Sequence, residues 1–249
     1  MVDLHAHVLP GLDDGPETLA EAVEMLSDVV ATGVTTVVAT PHVSDRYPVT
    51  PDQISDSVAT VKAALAERSL RLELLPGAEV DSRRLAMLDA QDVTSLTLGG
   101  SGRYLLVELP WEGVNVATGK AMQQLASRGV RPVIAHPERY AYVQESPAIV
   151  TSLTESGALM QVTVTSLVGG HGRAAAATAR VLLEHGLVHV LASDMHGPRL
   201  NRAPLADAAP ALADPALLEW LTFGVPHAVV RGDDPPARPQ ASRRSFRRR

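Results

Sequence analysis

Histidines and carboxylates recur along this chain in one pattern. His5 and His7 form an H-x-H pair, His42 closes ATPH, and Glu79 closes LPGAE. Glu108 follows in LLVELP, His136 in VIAHPER, and Asp194 and His196 in LASDMH. Imidazole and carboxylate donors in such a mixture suit divalent Mn, Fe, Zn or Mg. Each residue alone has a plainer reading: a lone glutamate as an ion pair, a lone histidine as a hydrogen-bonded packing residue. The His5-x-His7 pair says more, because residues two apart on a strand face the same side. Joint recurrence is what argues for a metal-assisted hydrolase. The sequence has no cysteine, which excludes thiolate nucleophiles, disulfides and thiolate metal sites.

The elements that must position these residues follow from a repeated junction. Amphipathic stretches end in glycine and run into short apolar segments at ATGVTTVVA, SRGVRPVIA, ESGALMQVTV and EHGLVHVLA. Glycine just past a helix end closes the last turn in the left-handed conformation. The apolar run after it reads as a buried parallel strand. Strands are expected near 2–5, 34–40, 71–76, 104–108, 131–135, 158–164 and 187–192. Helices are expected near 17–32, 51–68, 116–128, 145–156 and 173–185, with a proline-broken helical stretch over 203–222. HAVVRG near the end reads as a short strand. Helix, glycine and strand in repetition mean α/β architecture with parallel strands. Six of the seven strands deliver a His, Asp or Glu at the C-terminal end, the rim where α/β barrels assemble their sites. His171, His185, His189 and His227 fall elsewhere and are left out of the site.

Composition narrows the class. The chain has 249 residues, 45% of them hydrophobic, enough for one α/β domain with a substantial core. No apolar run approaches a membrane span, and the polar opening MVDLHAH does not read as a leader; the expected location is cytoplasmic. Net charge is −6, but the six arginines of 238–249 (RPQASRRSFRRR), with no acid among them, leave −12 on the rest. The domain is expected over 1–232, with 233–249 a disordered Pro/Arg-rich tail. That tail reads as a solvated extension rather than a nucleic-acid or membrane tether.

At HAHVLPGLDDG, from His5 to Gly15, the pattern becomes specific. It resembles the polymerase-and-histidinol-phosphatase (PHP) superfamily, and within it the bacterial tyrosine-protein phosphatases of capsule and exopolysaccharide loci. ATPH, PGAE, VELP, HPER and SDMH follow in that branch's order, so the resemblance covers roughly residues 1–205. It implies a distorted (β/α)7, TIM-barrel-like fold holding three divalent metal ions, often Mn. By the resemblance, His5, His7, Glu79 and Asp194 hold one ion. Glu79 bridges to a second, completed by Glu108 and His136, and Asp14, His42 and His196 hold the third. Asp13 competes with Asp14 for its place. Arg139 of HPER is positioned to grip phosphate oxygens. A second arginine is expected after the last metal histidine, where Arg202 matches best and Arg199 is a rival, the spacing being one residue longer than the branch pattern.

The implied reaction is attack of a metal-bound hydroxide on phosphotyrosine. The implied partner is a bacterial tyrosine autokinase with a tyrosine-rich tail that controls polysaccharide synthesis; self-association stays open. The nearest rival is a PHP phosphatase acting on a small phosphomonoester such as histidinol phosphate. Amidohydrolase-type hydrolysis also opens with H-x-H, but its binuclear form uses a carbamylated lysine, and neither Lys62 nor Lys120 ends a strand. A degenerate barrel serving as a scaffold would have lost ligands, and none is lost.

Overall fold

The structure is a computed structural model describing residues 1–197, 204–212 and 214–240. Nine parallel strands are found there: β1 Val2–Ala6, β2 Thr36–Ala39, β3 His42–Val43, β4 Glu73–Pro76, β5 Glu79–Asp81, β6 Tyr104–Glu108, β7 Arg131–Ala135, β8 Leu159–Thr163 and β9 Val190–Ala192. They pair as a three-stranded sheet, β1-β2-β4, and a six-stranded sheet, β3-β5-β6-β7-β8-β9. Two strands, β3 and β5, lie beyond the expected ranges 34–40 and 71–76, each continuing the strand before it across a break. Pro41 interrupts the run from β2 into β3, and Gly77 the run from β4 into β5. Proline has no N–H to give to a ladder, so the break falls where pairing would fail anyway. Gly77 passes so close to β2 that a Cβ there would lie 2.7 Å from Val38 Cγ1. Each broken strand starts in one sheet and ends in the other, so nine strands make seven staves. The seam between β9 and β1 is a parallel bridge, Ala6 to Met195, with His7 N donating to Met195 O at 2.9 Å. The result is the distorted (β/α)7 barrel.

Local chemistry explains why the helices start where they do. Thr18 and Glu21 form a capping box at the start of Leu19–Ala31, and Thr50 and Gln53 form another at the start of Pro51–Glu67. Asn115 and Thr118 do the same for Val116–Ser127. Each satisfies two backbone N–H groups that the first turn would otherwise leave unpaired. The glycines at the ends, Gly33, Gly129, Gly157 and Gly186, all take positive φ. The strands carry apolar side chains on both faces; Leu4, Val37, Leu74, Leu105, Val133 and Val190 are all buried. A fully covered parallel sheet requires this.

Two expectations fail toward the C-terminus. HAVVRG is not a strand; Val225–Arg231 is a helix, with Pro226 in its first turn and Gly232 left-handed at its end. This helix continues directly from the π-helical turn Trp220–Gly224, and the wider turn falls just where Pro226 has no N–H to give to the preceding carbonyls. Val225 and Val229, one turn apart, are both buried, so the apolar run serves a helical face rather than a strand. Disorder from 233 onward does not hold for 233–240, which lies against the barrel floor. Tyr104 Oη donates to Asp233 O at 2.8 Å, Trp220 Nε1 to Pro236 O at 2.9 Å, and Arg238 to Val188 O at 3.1 Å. Residues 241–249 lie outside the described residues. The stretch expected to be helical over 203–222 is broken into Leu205–Ala208, Ala209–Leu212, Pro215–Glu219 and Trp220–Gly224. No helix among the described residues is long and apolar enough to cross a membrane.

Candidate metal centre

Every expected donor that the structure describes reaches the same rim. His5 lies on β1 and His7 directly after its end, with both side chains buried. His42 opens β3 and Glu79 opens β5, directly after the two strand breaks. These two residues pair across the ladder, His42 with Glu79. Thus the kinks that split the strands also bring the two side chains together. Glu108 ends β6. His136 follows β7 and Asp194 follows β9, and both hold φ in the left-handed region, at 35° and 53°. Non-glycine residues pay about 1–3 kcal/mol for that conformation, and such strain collects at functional sites. His196 comes two residues later. Arg202 and Arg199 both lie outside the described residues.

The donor atoms converge. Glu79 is the hub: its Oε2 is 3.0 Å from His42 Nδ1, 3.3 Å from His5 Nε2 and 3.4 Å from His7 Nε2, and its Oε1 is 2.9 Å from His136 Nε2. Asp194 Oδ1 lies 3.3 Å from His5 Nε2 and 3.7 Å from His7 Nε2. Asp14 Oδ1 sits 3.5 Å from both His42 Nε2 and His196 Nε2. Among the described residues, three groups are compact enough to hold a cation: His7 with Asp14, His42 and His196; His5 with His7 and Glu79; and His42 with Glu79 and Glu108.

Hydrogen-bond partners orient the two histidines of the opening pair. His5 Nδ1 faces Gln161 Oε1 at 2.9 Å, and His7 Nδ1 faces Asp13 Oδ2 at 2.6 Å. Both partners only accept in that geometry, so each Nδ1 carries a proton and both Nε2 atoms point inward. Those two Nε2 atoms lie 3.1 Å apart. Glu79 Oε2, fully buried, has no hydrogen bond of its own. Two inward imidazole nitrogens beside buried carboxylates call for positive charge, supplied by imidazolium protons or by a bound cation. The residues present therefore fit divalent cations.

Asp13 and Asp14 now differ. Asp13 Oδ2 also accepts from His42 N at 2.9 Å and its Oδ1 accepts from Gly15 N at 3.0 Å. Both oxygens are spent on orienting the loop and His7, as outer partners of metal-binding imidazoles usually do. Gly15 has no room for a side chain, since a Cβ would lie 2.8 Å from His7 O. Asp14 faces the histidines instead.

Electrostatics follow the same arrangement. Burial disfavours the His5 imidazolium, but the Glu79 and Asp194 charges outweigh it and hold its pKa up at about 9. Burial and the neighbouring Glu79 charge push the Glu108 carboxyl up to about 8. Burial and the His7 charge pull His196 down to about 4. A cation beside these groups would reverse that logic.

The centre forms the base of an open cavity of about 710 Å³. Arg139 lines it, and its guanidinium donates to Asp194 Oδ2 at 2.8 Å. Sequence reasoning missed three further contributors. Gln161 comes from β8, the one strand with no His or acid at its end; a polar residue inside LMQVT was its signal. Trp111 follows VELP and donates from Nε1 to Glu108 Oε1 at 3.0 Å. Tyr47 stacks on His42 with ring centroids 5.7 Å apart.

Comparison with known proteins agrees with this geometry. Residues 1–214 match the family described as capsular polysaccharide synthesis, CpsB/CapC. The chain is 34% identical over 197 residues to the tyrosine-protein phosphatase YwqE of Bacillus subtilis, covering 79% of this chain and 77% of that one. It is 32% identical to the putative tyrosine-protein phosphatase CapC of Staphylococcus aureus, again over 79% and 77%. A crystal structure reported for YwqE from Bacillus subtilis and CpsB from Streptococcus pneumoniae, described as unique metal-dependent tyrosine phosphatases, superposes with a TM-score of 0.84. That match has 28% identity and covers 97% of this chain and all of that one.

Proposed function

Because this chain belongs to the CpsB/CapC family of capsular polysaccharide synthesis proteins, we propose that it is a metal-dependent protein-tyrosine phosphatase. The observation that carries the reading is the inward-facing pair of His5 and His7 Nε2 atoms beside the unsatisfied Glu79 Oε2. The proposed set is three divalent ions, with Mn preferred. His5, His7, Glu79 and Asp194 would hold one, Glu79 with Glu108 and His136 a second, and Asp14, His42 and His196 the third. Clustered divalent ions neutralise the phosphate dianion and bring the pKa of water down to about 7.

The chain's own residues do the rest. Arg139, steadied by Asp194, offers its fork to the phosphoryl oxygens. Arg202 is the proposed second arginine. Hydrolysis breaks the bond between phosphorus and the phenol oxygen, joins a water oxygen to phosphorus, and returns a proton to the phenol. A phenol with pKa near 10 leaves with less acid help than an alkyl alcohol needs. No thiol is called for, consistent with a chain that has none.

The proposed substrate is a phosphotyrosine protein in the cytoplasm, a tyrosine autokinase acting in polysaccharide synthesis; the relatives above carry tyrosine-phosphatase names. Comparing kcat/KM on a phosphotyrosine peptide with that on histidinol phosphate tests the reading. A strong preference for the peptide is expected. A preference for histidinol phosphate would move the chain to small-molecule phosphatases.

A further inference from the structure

The metal-binding residues account for the floor of the cavity but not for its walls. Two aromatic side chains stand there, and neither is needed to hold a cation. Tyr47 lies against His42, with rings nearly parallel at 10° and centroids 5.7 Å apart. Trp111 lies against His136, with rings 21° apart and centroids also 5.7 Å apart. His42 and His136 flank Glu79 from its two oxygens, Oε2 at 3.0 Å and Oε1 at 2.9 Å. Each ring therefore lies against a histidine that contacts the same carboxylate, one at each of its oxygens, and both rings line the cavity.

Both rings are held in place. Trp111 is tied by its Nε1 to Glu108 Oε1 and lies edge-on against the buried ring of Tyr140, centroids 5.0 Å apart and planes at 68°. Tyr140 in turn accepts from Leu109 N at 2.9 Å, which fixes the turn after β6. The guanidinium of Arg139 lies over the indole at 5.4 Å, and that of Arg46 over the Tyr47 ring at 4.9 Å. Yet Trp111 remains 44% exposed. A large, rigid, half-exposed indole at the mouth of a polar cleft does not serve the core. It offers apolar area at low entropic cost to whatever enters.

The geometry points to Tyr47 and Trp111 as the pair that determines specificity, receiving the aromatic ring of an aryl phosphate while the phosphate meets the centre below. This rests on the phosphatase reading above and deepens it: the class selected is the aryl monoester over the alkyl monoester, by ring contact as well as by leaving group. A phosphoserine, with no ring, would leave both rings facing water. A phosphotyrosine side chain would cover them, with stacking beyond simple burial.

Non-hydrolysable phosphonates separate ring binding from leaving-group chemistry. Binding of phenylphosphonate and methylphosphonate to the metal-loaded protein is measured by calorimetry, at a pH where both are dianions. The intact protein is expected to favour phenylphosphonate roughly tenfold, about 1.4 kcal/mol. Trp111→Ala and Tyr47→Ala should each cut that ratio to about threefold or less, and the double substitution should bring it near unity. Any general damage to the centre weakens both ligands and cancels in the ratio. Trp111→Phe keeps a ring but loses the hydrogen bond to Glu108, so it should keep most of the preference. An unchanged ratio in both alanine variants overturns the assignment, as does a Phe variant that loses the ratio as fully as Ala. A protein that hydrolyses no phosphomonoester overturns the parent reading. Phosphotyrosine turnover with an unaltered phosphonate ratio overturns only the aromatic pair.

Discussion

Asp13 Oδ2 accepts the Nδ1 proton of His7 at 2.6 Å, the shortest contact made by any imidazole of the centre, and so fixes which nitrogen His7 turns toward Glu79 and Asp194. Burial disfavours the Asp13 charge, but the hydrogen bond and charge of His7 outweigh it and hold the carboxyl down at about 2. The carboxylate thus locks the imidazole in one orientation, with Nε2 turned inward to Glu79 and Asp194.

Asp13→Asn should therefore weaken metal binding without abolishing it. Outer carboxylates of this kind are worth about 10–100-fold in metal affinity or activity. Activity should recover when divalent metal is supplied in excess. Asp14→Asn, at a residue proposed as a ligand, should lose activity that added metal restores far less. Titrating both variants with Mn distinguishes them. Equal rescue of the two would reverse the roles of the two aspartates.

His42→Ala and Glu108→Ala should each lower turnover by more than the roughly 100-fold upper figure for an outer partner, while circular dichroism and thermal melting show a folded protein. Both side chains reach the centre from the ends of short strands, and neither is part of the packed core. Retained activity in both variants would refute the ligand assignments.

Glu138 supplies a pH test away from turnover. Its side chain is fully buried and accepts from Thr163 N at 3.0 Å. Burial, only partly opposed by hydrogen bonds from Ser166 and Thr163, raises its carboxyl from 4.5 to about 7. A raised carboxyl pKa favours the protonated folded state, so its contribution is complete below pH 4.5 and is lost as pH rises through 7. Glu138→Gln keeps an oxygen for Thr163 and never ionises. Relative to the parent, the variant should gain stability from about pH 5 to about pH 8, on the order of 3 kcal/mol at most. Urea midpoints of both proteins at the two pH values measure this. A difference independent of pH would contradict it.

Much of this was legible in the sequence because parallel barrels place function at strand ends. A histidine or acid there is both close in sequence to an apolar run and close in space to its counterparts. Glycine-closed helices announced where each strand would begin. What escaped detection depends on contacts between distant segments. Gln161 acquires meaning only beside His5, 156 residues away. Asp13 and Asp14 are chemically identical neighbours, and only the fold of the loop turns one to His7 and the other to His42 and His196. The apolar run of HAVVRG suits strand or helix equally, and packing one turn apart decided for helix. The Pro/Arg-rich composition after 233 masked the contacts made by Asp233, Pro236 and Arg238 with the barrel floor.

The central claim is a centre of several metal ions that hydrolyses phosphotyrosine, and metal content measured together with activity tests it most directly. Purified protein is assayed on a phosphotyrosine peptide and its bound metal counted, before chelation, after chelation, and after divalent metal is returned. The expected result is about three ions per chain, activity lost with them, and activity restored by Mn. Fewer than about two ions per chain in fully active protein, or turnover that survives their removal, would contradict it.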